Sequence, residues 1–403
     1  MKSTRKSGLA GRREKVAGRL ALATACLMTP VLPLFAQASL SAQSQTMSIT
    51  LTGQSMIRTD IRAHSPAAVP VIQSLLKGDV IFTNFETTIF DPRKGQKRTD
   101  GRFVSQPEAM EALKTFGFNL LSLANNHSFD LKTAGVQNVL EQSTRLNVAH
   151  AGVGKTIDEA VAPGYLKTPK GTVALIAMAS GLVPDGGNAT ASRAGVNELH
   201  VAGDEPSGED TRRILQSIGE ARKKADLVIV YEHNHIFAKP FQTIMLEELP
   251  ERLGPPEWLK KWTHAEIDAG MHGAPLLHAV EIYHGHPIFF DHGNFIFQVP
   301  PQDTLLDEPI LWESVVAYVE FQGRNLQSIK FRPIAQNKIG EGQPDVHEEH
   351  TDNLFLQTRG LPKLATGEQA HYILERLADL SRPFGTTVVV NGDMAEIKLK
   401  SGK

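Results

Sequence analysis

Cysteine is almost absent from this chain of 403 residues, which contains a single one, Cys26. It lies in an N-terminal apolar segment that we expect to be removed. The remaining chain therefore cannot form a disulfide, use a thiol nucleophile or bind a metal through a thiolate. Any metal ligands must be His, Asp, Glu, Asn or water, a set that favours zinc, manganese or iron over copper(I).

A long hydrophobic run is also missing. The apolar stretch at residues 20–35 is short for a membrane span and contains two prolines. Seven basic residues precede it, and Ala36-Gln37-Ala38 follows it. A basic segment, an apolar segment and an A-x-A site, in that order, are typical of a cleaved secretory signal. We therefore predict a signal peptide at residues 1–38 and a periplasmic or extracellular protein, which contacts the membrane transiently through this segment only.

An excess of positive charge is absent as well. Removal of residues 1–38 would leave 35 Lys and Arg against 43 Asp and Glu, a net charge of −8. This balance gives no indication of a nucleic-acid partner, and it means that a polyanion would need a local basic patch. The sequence contains no internal repeat, and nothing in it indicates an oligomeric state.

Short apolar segments alternate with amphipathic ones along the chain. Strands are predicted at residues 47–54, 79–86, 120–123, 172–179, 226–231 and 276–283, and helices at 107–116, 133–146, 209–225 and 258–269. The alternation predicts an α/β sandwich over residues 47–300. Residues 301–403 have a different pattern, which is paired strands, a helix and a hairpin around Asn391-Gly392, and we treat them as an extension of the same fold.

Polar side chains collect where the predicted strands end. Asn125, Asn126 and His127 follow the strand at 120–123, and Asp130 lies three residues further on. Open α/β sheets bind ligands at the carboxyl ends of their strands, so this segment predicts a metal or phosphate site. The alternative is an Asn-rich turn that caps the next helix. Other strand ends and connecting segments carry further candidates, which are Gln54, Asn84, Glu86, His233, His235, His272 and His292.

Imidazoles combined with carboxylate and carboxamide oxygens suit borderline divalent cations. We therefore expect one or two ions of manganese, zinc or iron, which would activate water and polarise a phosphoryl or acyl oxygen. The expected ligands are Glu86, Asn125, Asn126, His233, His235 and His272. His292 could line the site or serve a purely structural role.

Several segments resemble the CapA-type bacterial capsule-synthesis proteins, which are tied to poly-γ-glutamate. Residues 124–130 (ANNHSFD) resemble the family's ANNHxxD signature, and residues 84–86 (NFE) resemble its NxE motif. His233 falls where the family has a histidine after a buried strand. Residues 281–297 (EIYHGHPIFFDHGNFIF) are similar to its closing EIYxGxPIFYxLGNFxF motif. The resemblance covers about residues 47–300.

This resemblance implies a calcineurin-like metallophosphatase fold, in which two mixed β-sheets form a sandwich flanked by helices. It implies that Asn126 is a metal ligand, and that Glu86, His233 and His272 complete the metal site. It also implies that His127 is a general acid or a donor to the transition state. We take His127 and Asp130 as the candidate catalytic residues.

The chain departs from the family pattern at the end of its first strand. Gln54 follows Gly53 where the family has an aspartate. A neutral amide in place of a carboxylate weakens divalent-cation binding and disfavours a tight binuclear site.

These features favour an exported metal-dependent hydrolase linked to poly-γ-glutamate or capsule metabolism. Its substrate would be a phosphoester or an amide, in a small molecule or in an anionic polymer. One alternative is a non-catalytic accessory protein that binds or guides an anionic capsular polymer. Another is a degenerate metallophosphatase-like scaffold whose role is to bind other proteins.

Overall fold

The computed structural model describes residues 45–96, 103–236, 255–266, 270–273, 276–299, 308–342 and 357–399, with the backbone alone for 270–273. All of these residues belong to one compact unit, Ser44–Lys403. The predicted signal peptide at residues 1–38 lies outside the described residues. None of the helices within the described ranges has the length and apolar character needed to cross a bilayer.

The strands and helices are numbered in chain order. The strands are β1 Thr46–Met56, β2 Val80–Phe85, β3 Thr88–Ile89, β4 Val104–Ser105, β5 Leu120–Ser122, β6 Ala149–Ala151, β7 Val153–Gly154, β8 Gly164–Thr168, β9 Gly171–Ser180, β10 Gly195–Val196, β11 Val201–Ala202, β12 Glu205–Pro206, β13 Leu227–Asn234, β14 Gly270–Gly273, β15 Val280–Tyr283, β16 His286–Phe289, β17 Asn294–Phe297, β18 Glu313–Gln322, β19 Asn325–Gln336, β20 Pro362–Leu364, β21 Val388–Asn391 and β22 Met394–Ile397. The α-helices are α1 Ile61–His64, α2 Ala68–Leu75, α3 Pro107–Phe116, α4 Lys132–Leu146, α5 Ile157–Val161, α6 Gly208–Arg222, α7 Glu257–Glu266 and α8 Gly367–Ser381.

The larger sheet has ten strands. Eight follow the order β21-β22-β19-β18-β1-β2-β5-β6, while β17 pairs with the end of β1 and β20 pairs with β19. β1, β2, β5 and β6 run parallel, and β17 is parallel to β1, so their carboxyl ends meet at one edge. β18 and β19 are antiparallel, and they place the C-terminal part of the chain in this same sheet.

The second sheet has six strands in the order β15-β16-β14-β13-β9-β8. β9, β13, β14 and β16 run parallel. Residues of both sheets share one hydrophobic core, in which the rings of Phe82 and Tyr231 lie 5.2 Å apart. A second core joins the other face of β9 and β13 to α6 and α7. The expected α/β class, with mixed sheets and flanking helices, is confirmed.

Elements with strong sequence signals have nearly the predicted bounds. α3 spans the predicted residues, with Pro107 in its first turn and Gly117 (φ 116°) at its C-cap, where a left-handed conformation ends a helix. β14 is not predicted from the sequence, because two glycines in four residues hide any apolar alternation. It forms between β13 and β16, where parallel neighbours on both sides satisfy its backbone.

Gly53 lies where β1 and the segment before β17 approach most closely. A Cβ atom on Gly53 would lie 1.8 Å from the carbonyl oxygen of Gly293. The backbone N–H of Gln54 donates to that same oxygen, at 3.1 Å. The missing side chain of Gly53 therefore lets Gln54 sit directly beside Asn294, its partner in the strand register.

We expect Gly53→Ala to lower the free energy of unfolding by about 1–3 kcal/mol, because the new methyl group would force the two backbones apart. Urea unfolding followed by circular dichroism measures this change. Gly219→Ala is the matched control. Gly219 lies inside α6, where an added methyl group would meet nothing within 4 Å, and its substitution should stabilise the protein by about 0.5–1 kcal/mol. An unchanged stability of Gly53→Ala would contradict the close approach.

Candidate metal centre

The loop after β5 is held by its own polar side chains. Ser128 Oγ donates to the carbonyl oxygen of Leu123 at 2.6 Å and accepts from the backbone N–H of Asn125 at 2.9 Å. Asn125 Nδ2 donates to the carbonyl oxygen of Phe85 at 2.9 Å, and its Oδ1 accepts from the backbone N–H of His127 at 3.1 Å. The sequence predicts Asn125 as a metal ligand. In the structure its side chain instead hydrogen-bonds the loop to β2.

Asn126 points toward the second sheet. Its Oδ1 lies 2.9 Å from Nε2 of His233 on β13. The same Nε2 atom lies 3.0 Å from Nε2 of His235 and 3.6 Å from Oε1 of Glu86. Glu86, His233 and His235 offer ligand atoms within 4.8 Å of one another, so they form a candidate metal-binding triad. We call these three residues and Asn126 the metal group.

The metal group directs nitrogen and oxygen lone pairs of four side chains toward one point. A neutral imidazole carries one hydrogen on its two nitrogens, and carboxylate and amide oxygens only accept. Oε2 of Glu86 is buried and has no hydrogen-bond partner within the described residues. A divalent cation would satisfy these converging lone pairs at once, and His nitrogens with carboxylate and carboxamide oxygens suit a borderline metal.

Burial controls the ionisation of the metal group. It raises the pKa of Glu86 to about 8. Burial, and then the charge of His127, lowers the pKa of His235 to about 3. Burial, followed by the charges of His235 and His127, holds the pKa of His233 well below its usual range. The imidazoles are therefore neutral at pH 7, as metal ligands must be.

His127 and Asp130 form a pair next to the metal group. His127 Nδ1 lies 3.0 Å from Asp130 Oδ2, which also accepts from the backbone N–H of Phe103 at 3.0 Å. Asp130 is buried, whereas the side chain of His127 is 26% exposed. The phenyl ring of Phe103 packs 5.5 Å from the imidazole. This arrangement orients His127 and leaves its Nε2 available to a ligand.

Gln54 and Asn84 lie side by side in the register of β1 and β2. Asn84 Nδ2 is 3.4 Å from His233 Nδ1, and Asn84 Oδ1 accepts from Asn125 Nδ2 at 3.3 Å. His272 is paired with Glu232 in the register of β14 and β13, and its side chain lies outside the described part of the chain.

His292 lies in the core of the protein. It is buried against Phe289, with ring centroids 4.9 Å apart, and neither of its ring nitrogens has a hydrogen-bond partner within the described ranges. Burial lowers its pKa to about 3. Whether His292 lines the site or serves a structural role stays a prediction.

One further residue close to the metal group, Tyr231, does not stand out in the sequence. Tyr231 precedes His233 by two positions in β13, so both side chains lie on the same face. Burial, and then the charges of Glu86 and Asp291, raises the pKa of Tyr231 well above its usual value. The i, i+2 spacing in β13 could have identified Tyr231.

A family model described as "Bacterial capsule synthesis protein PGA_cap" matches residues 48–299, more than half of the chain. The chain belongs to this family. The resemblance to CapA-type proteins is thereby confirmed, and the matched residues contain every member of the metal group.

Relatives of this PGA_cap chain include the uncharacterized protein y4sH of Sinorhizobium fredii, which is 27% identical and covers 85% of this chain and 90% of that protein. The PGA biosynthesis protein CapA of Bacillus subtilis is 26% identical and covers 54% of this chain and 53% of that protein. Among solved structures, a hypothetical protein from Thermus thermophilus aligns with a TM-score of 0.41 and 14% identity, covering 71% of this chain and 98% of that one.

The burial of His292 predicts a pH dependence of stability. Its pKa is about 6.5 in an unfolded chain and about 3 in the fold. Between these values the unfolded chain binds a proton that the folded chain does not, so the free energy of unfolding falls as the pH is lowered. His292→Leu should reduce the slope of the free energy of unfolding against pH by up to about 1.4 kcal/mol per pH unit.

Urea unfolding between pH 6.5 and pH 4 measures the slope for wild type and variant. His371→Gln is the control, since His371 lies exposed on α8 and solvent reaches it in both states. Equal slopes for His292→Leu and wild type would contradict the buried, unprotonated imidazole.

Proposed function

We propose that this protein is an exported metal-dependent hydrolase with a calcineurin-like fold, which cleaves phosphoester or amide bonds in capsule metabolism. The convergence of Glu86, Asn126, His233 and His235 on one point, with His127 beside it, supports this proposal more than any other observation. A divalent ion bound there would activate water and polarise the bond to be cleaved.

Each residue of the site would then have its own chemical role. Glu86 supplies the negative charge of the metal group, and His233, His235 and Asn126 supply neutral donors. His127 donates a proton through Nε2 to the leaving group, or a hydrogen bond to the negative charge that develops on the reacting oxygen. Asp130 accepts from Nδ1, which keeps the imidazole oriented.

The relatives give the proposal its substrate class. CapA of Bacillus subtilis is named for PGA biosynthesis, so an anionic polymer with γ-glutamyl bonds is the natural candidate, together with smaller esters and amides. The non-catalytic alternative is binding of such a polymer without cleavage. The net charge of −8 after signal removal disfavours simple polyanion binding, because like charges repel.

Hydrolysis of p-nitrophenyl phosphate, bis-p-nitrophenyl phosphate and γ-glutamyl-p-nitroanilide by the purified protein, with added Mn²⁺ or Zn²⁺, tests the proposal. Metal-dependent turnover of any of these supports it, and the preferred probe distinguishes phosphoester from amide chemistry. Polymer binding without turnover and without metal would support the accessory role instead.

We expect His127→Ala to reduce turnover by about 10²- to 10³-fold, because a proton or hydrogen-bond donor is lost at the reacting oxygen. Its metal content, measured by mass spectrometry, should equal that of wild type, whereas Glu86→Ala and His233→Ala should lose metal. His200→Ala is the matched control, since His200 Nδ1 contacts Asp210 Oδ2 at 2.7 Å in a similar pair outside the metal group. A destabilised but fully active His127→Ala protein would refute the catalytic role.

Export is the other part of the proposal, and it rests on the order of basic, apolar and A-x-A segments in residues 1–38. Protein isolated from the periplasm or medium of the producing cell should begin after Ala38. N-terminal sequencing measures this directly. Protein found in the cytoplasm with Met1 intact would refute export.

A further inference from the structure

Three carboxamide side chains form a row across the larger sheet. Asn294 on β17, Gln54 on β1 and Asn84 on β2 are neighbours in the parallel register. Side chains at paired positions of parallel strands lie on the same face of a sheet. Asn84 is the member that touches the metal group, through His233 Nδ1 at 3.4 Å. Gln54 is therefore one strand away from that contact.

The hydrogen bonds of the row fix the orientation of each amide. Asn294 Nδ2 donates to the carbonyl oxygen of Leu311 at 2.8 Å, and a carbonyl oxygen can only accept. Asn294 Oδ1 must then face Gln54, where it accepts from Gln54 Nε2 at 2.9 Å. This leaves Gln54 Oε1 turned away from Asn294.

Gln54 Oε1 has no hydrogen-bond partner among the described residues, although Gln54 is 2% exposed. A buried acceptor without a donor is costly, and the cost is removed if a cation or a donor is bound there. Two hydrogen bonds thus leave this one oxygen unpaired within the described residues, one strand away from the contact between Asn84 and His233. Among neutral groups, an amide oxygen is an accepted ligand of divalent cations.

We propose that Asn294 is a positioning residue, which holds the amide of Gln54 so that Oε1 serves as a neutral oxygen ligand of a single divalent ion. The inference rests on the metal centre of the proposed function. Glu86 is the one carboxylate of the metal group within the described residues, so the group carries too little negative charge to offset two divalent ions at short distance.

Binding of Mn²⁺ alone, followed by calorimetry and by its electron paramagnetic resonance signal, tests the proposal. Wild type should bind one Mn²⁺ per chain. Gln54→Leu removes the oxygen, and Asn294→Leu frees the amide of Gln54 to rotate, so each should weaken Mn²⁺ binding by about 10- to 100-fold. The double variant should bind no more weakly than Gln54→Leu, because Asn294 acts only through Gln54.

Asn197→Leu is the matched control for folding. Asn197 is fully buried and its Nδ2 donates to the carbonyl oxygen of Ala177 at 2.9 Å, just as Asn294 donates to a backbone carbonyl. Its loss should lower the melting temperature and leave Mn²⁺ affinity unchanged. If Asn294→Leu behaves like this control, Asn294 is merely structural and the proposal fails.

The outcomes separate this inference from the proposed function. Single variants that bind Mn²⁺ as wild type does would overturn the role of Gln54 while leaving the metal centre intact. Two Mn²⁺ ions per wild-type chain would also overturn it. A wild-type protein that binds one Mn²⁺ but hydrolyses nothing would refute the hydrolase proposal and leave this inference standing. Absence of Mn²⁺ binding would refute this inference, and absence of turnover with either Mn²⁺ or Zn²⁺ would refute the hydrolase proposal.

Discussion

The candidate site depends on polar atoms of Glu86, Asn126 and His235 that converge on the buried Nε2 of His233. Glu86 is the only carboxylate of the metal group within the described residues, and burial disfavours its charge. The neighbouring imidazoles stay neutral for the same reason. A carboxyl group and two histidines buried together without a cation are costly to the fold, which is why the arrangement is explained better by ligand binding than by packing.

The parallel strands bring this group together. The carboxyl ends of β1 and β2 supply Gln54, Asn84 and Glu86. On the other side of the shared core, β13 of the second sheet supplies His233, and His235 directly follows that strand. The loop after β5 then closes over the group. In this loop, the side chain of Asn125 donates to the backbone of Phe85, whereas the side chain of Asn126 contacts His233 of the metal group. Two adjacent asparagines therefore have different roles.

This division of tasks also explains why His127 can act on a ligand. Asn125 fixes the backbone of His127, while Asp130 fixes its ring through Nδ1. Phe103 contributes both a backbone N–H to Asp130 and a ring against the imidazole. A side chain held from several sides loses little further entropy when it engages a ligand, which is the usual requirement for a catalytic group.

The sequence alone determined the α/β class, most element bounds and the identity of the main candidates, because these follow from local patterns. Asn126 and His127 come shortly after a buried strand, and His233 and His235 lie two positions apart at the end of another. Tertiary structure decided what each candidate contacts. Asn125 and Asn126 are adjacent residues of one type, and their roles differ because Phe85 faces one and His233 the other. The orientation of Gln54 depends on Asn294, which lies 240 positions later in the chain. No local pattern can encode such a contact, because it exists only after distant strands have paired.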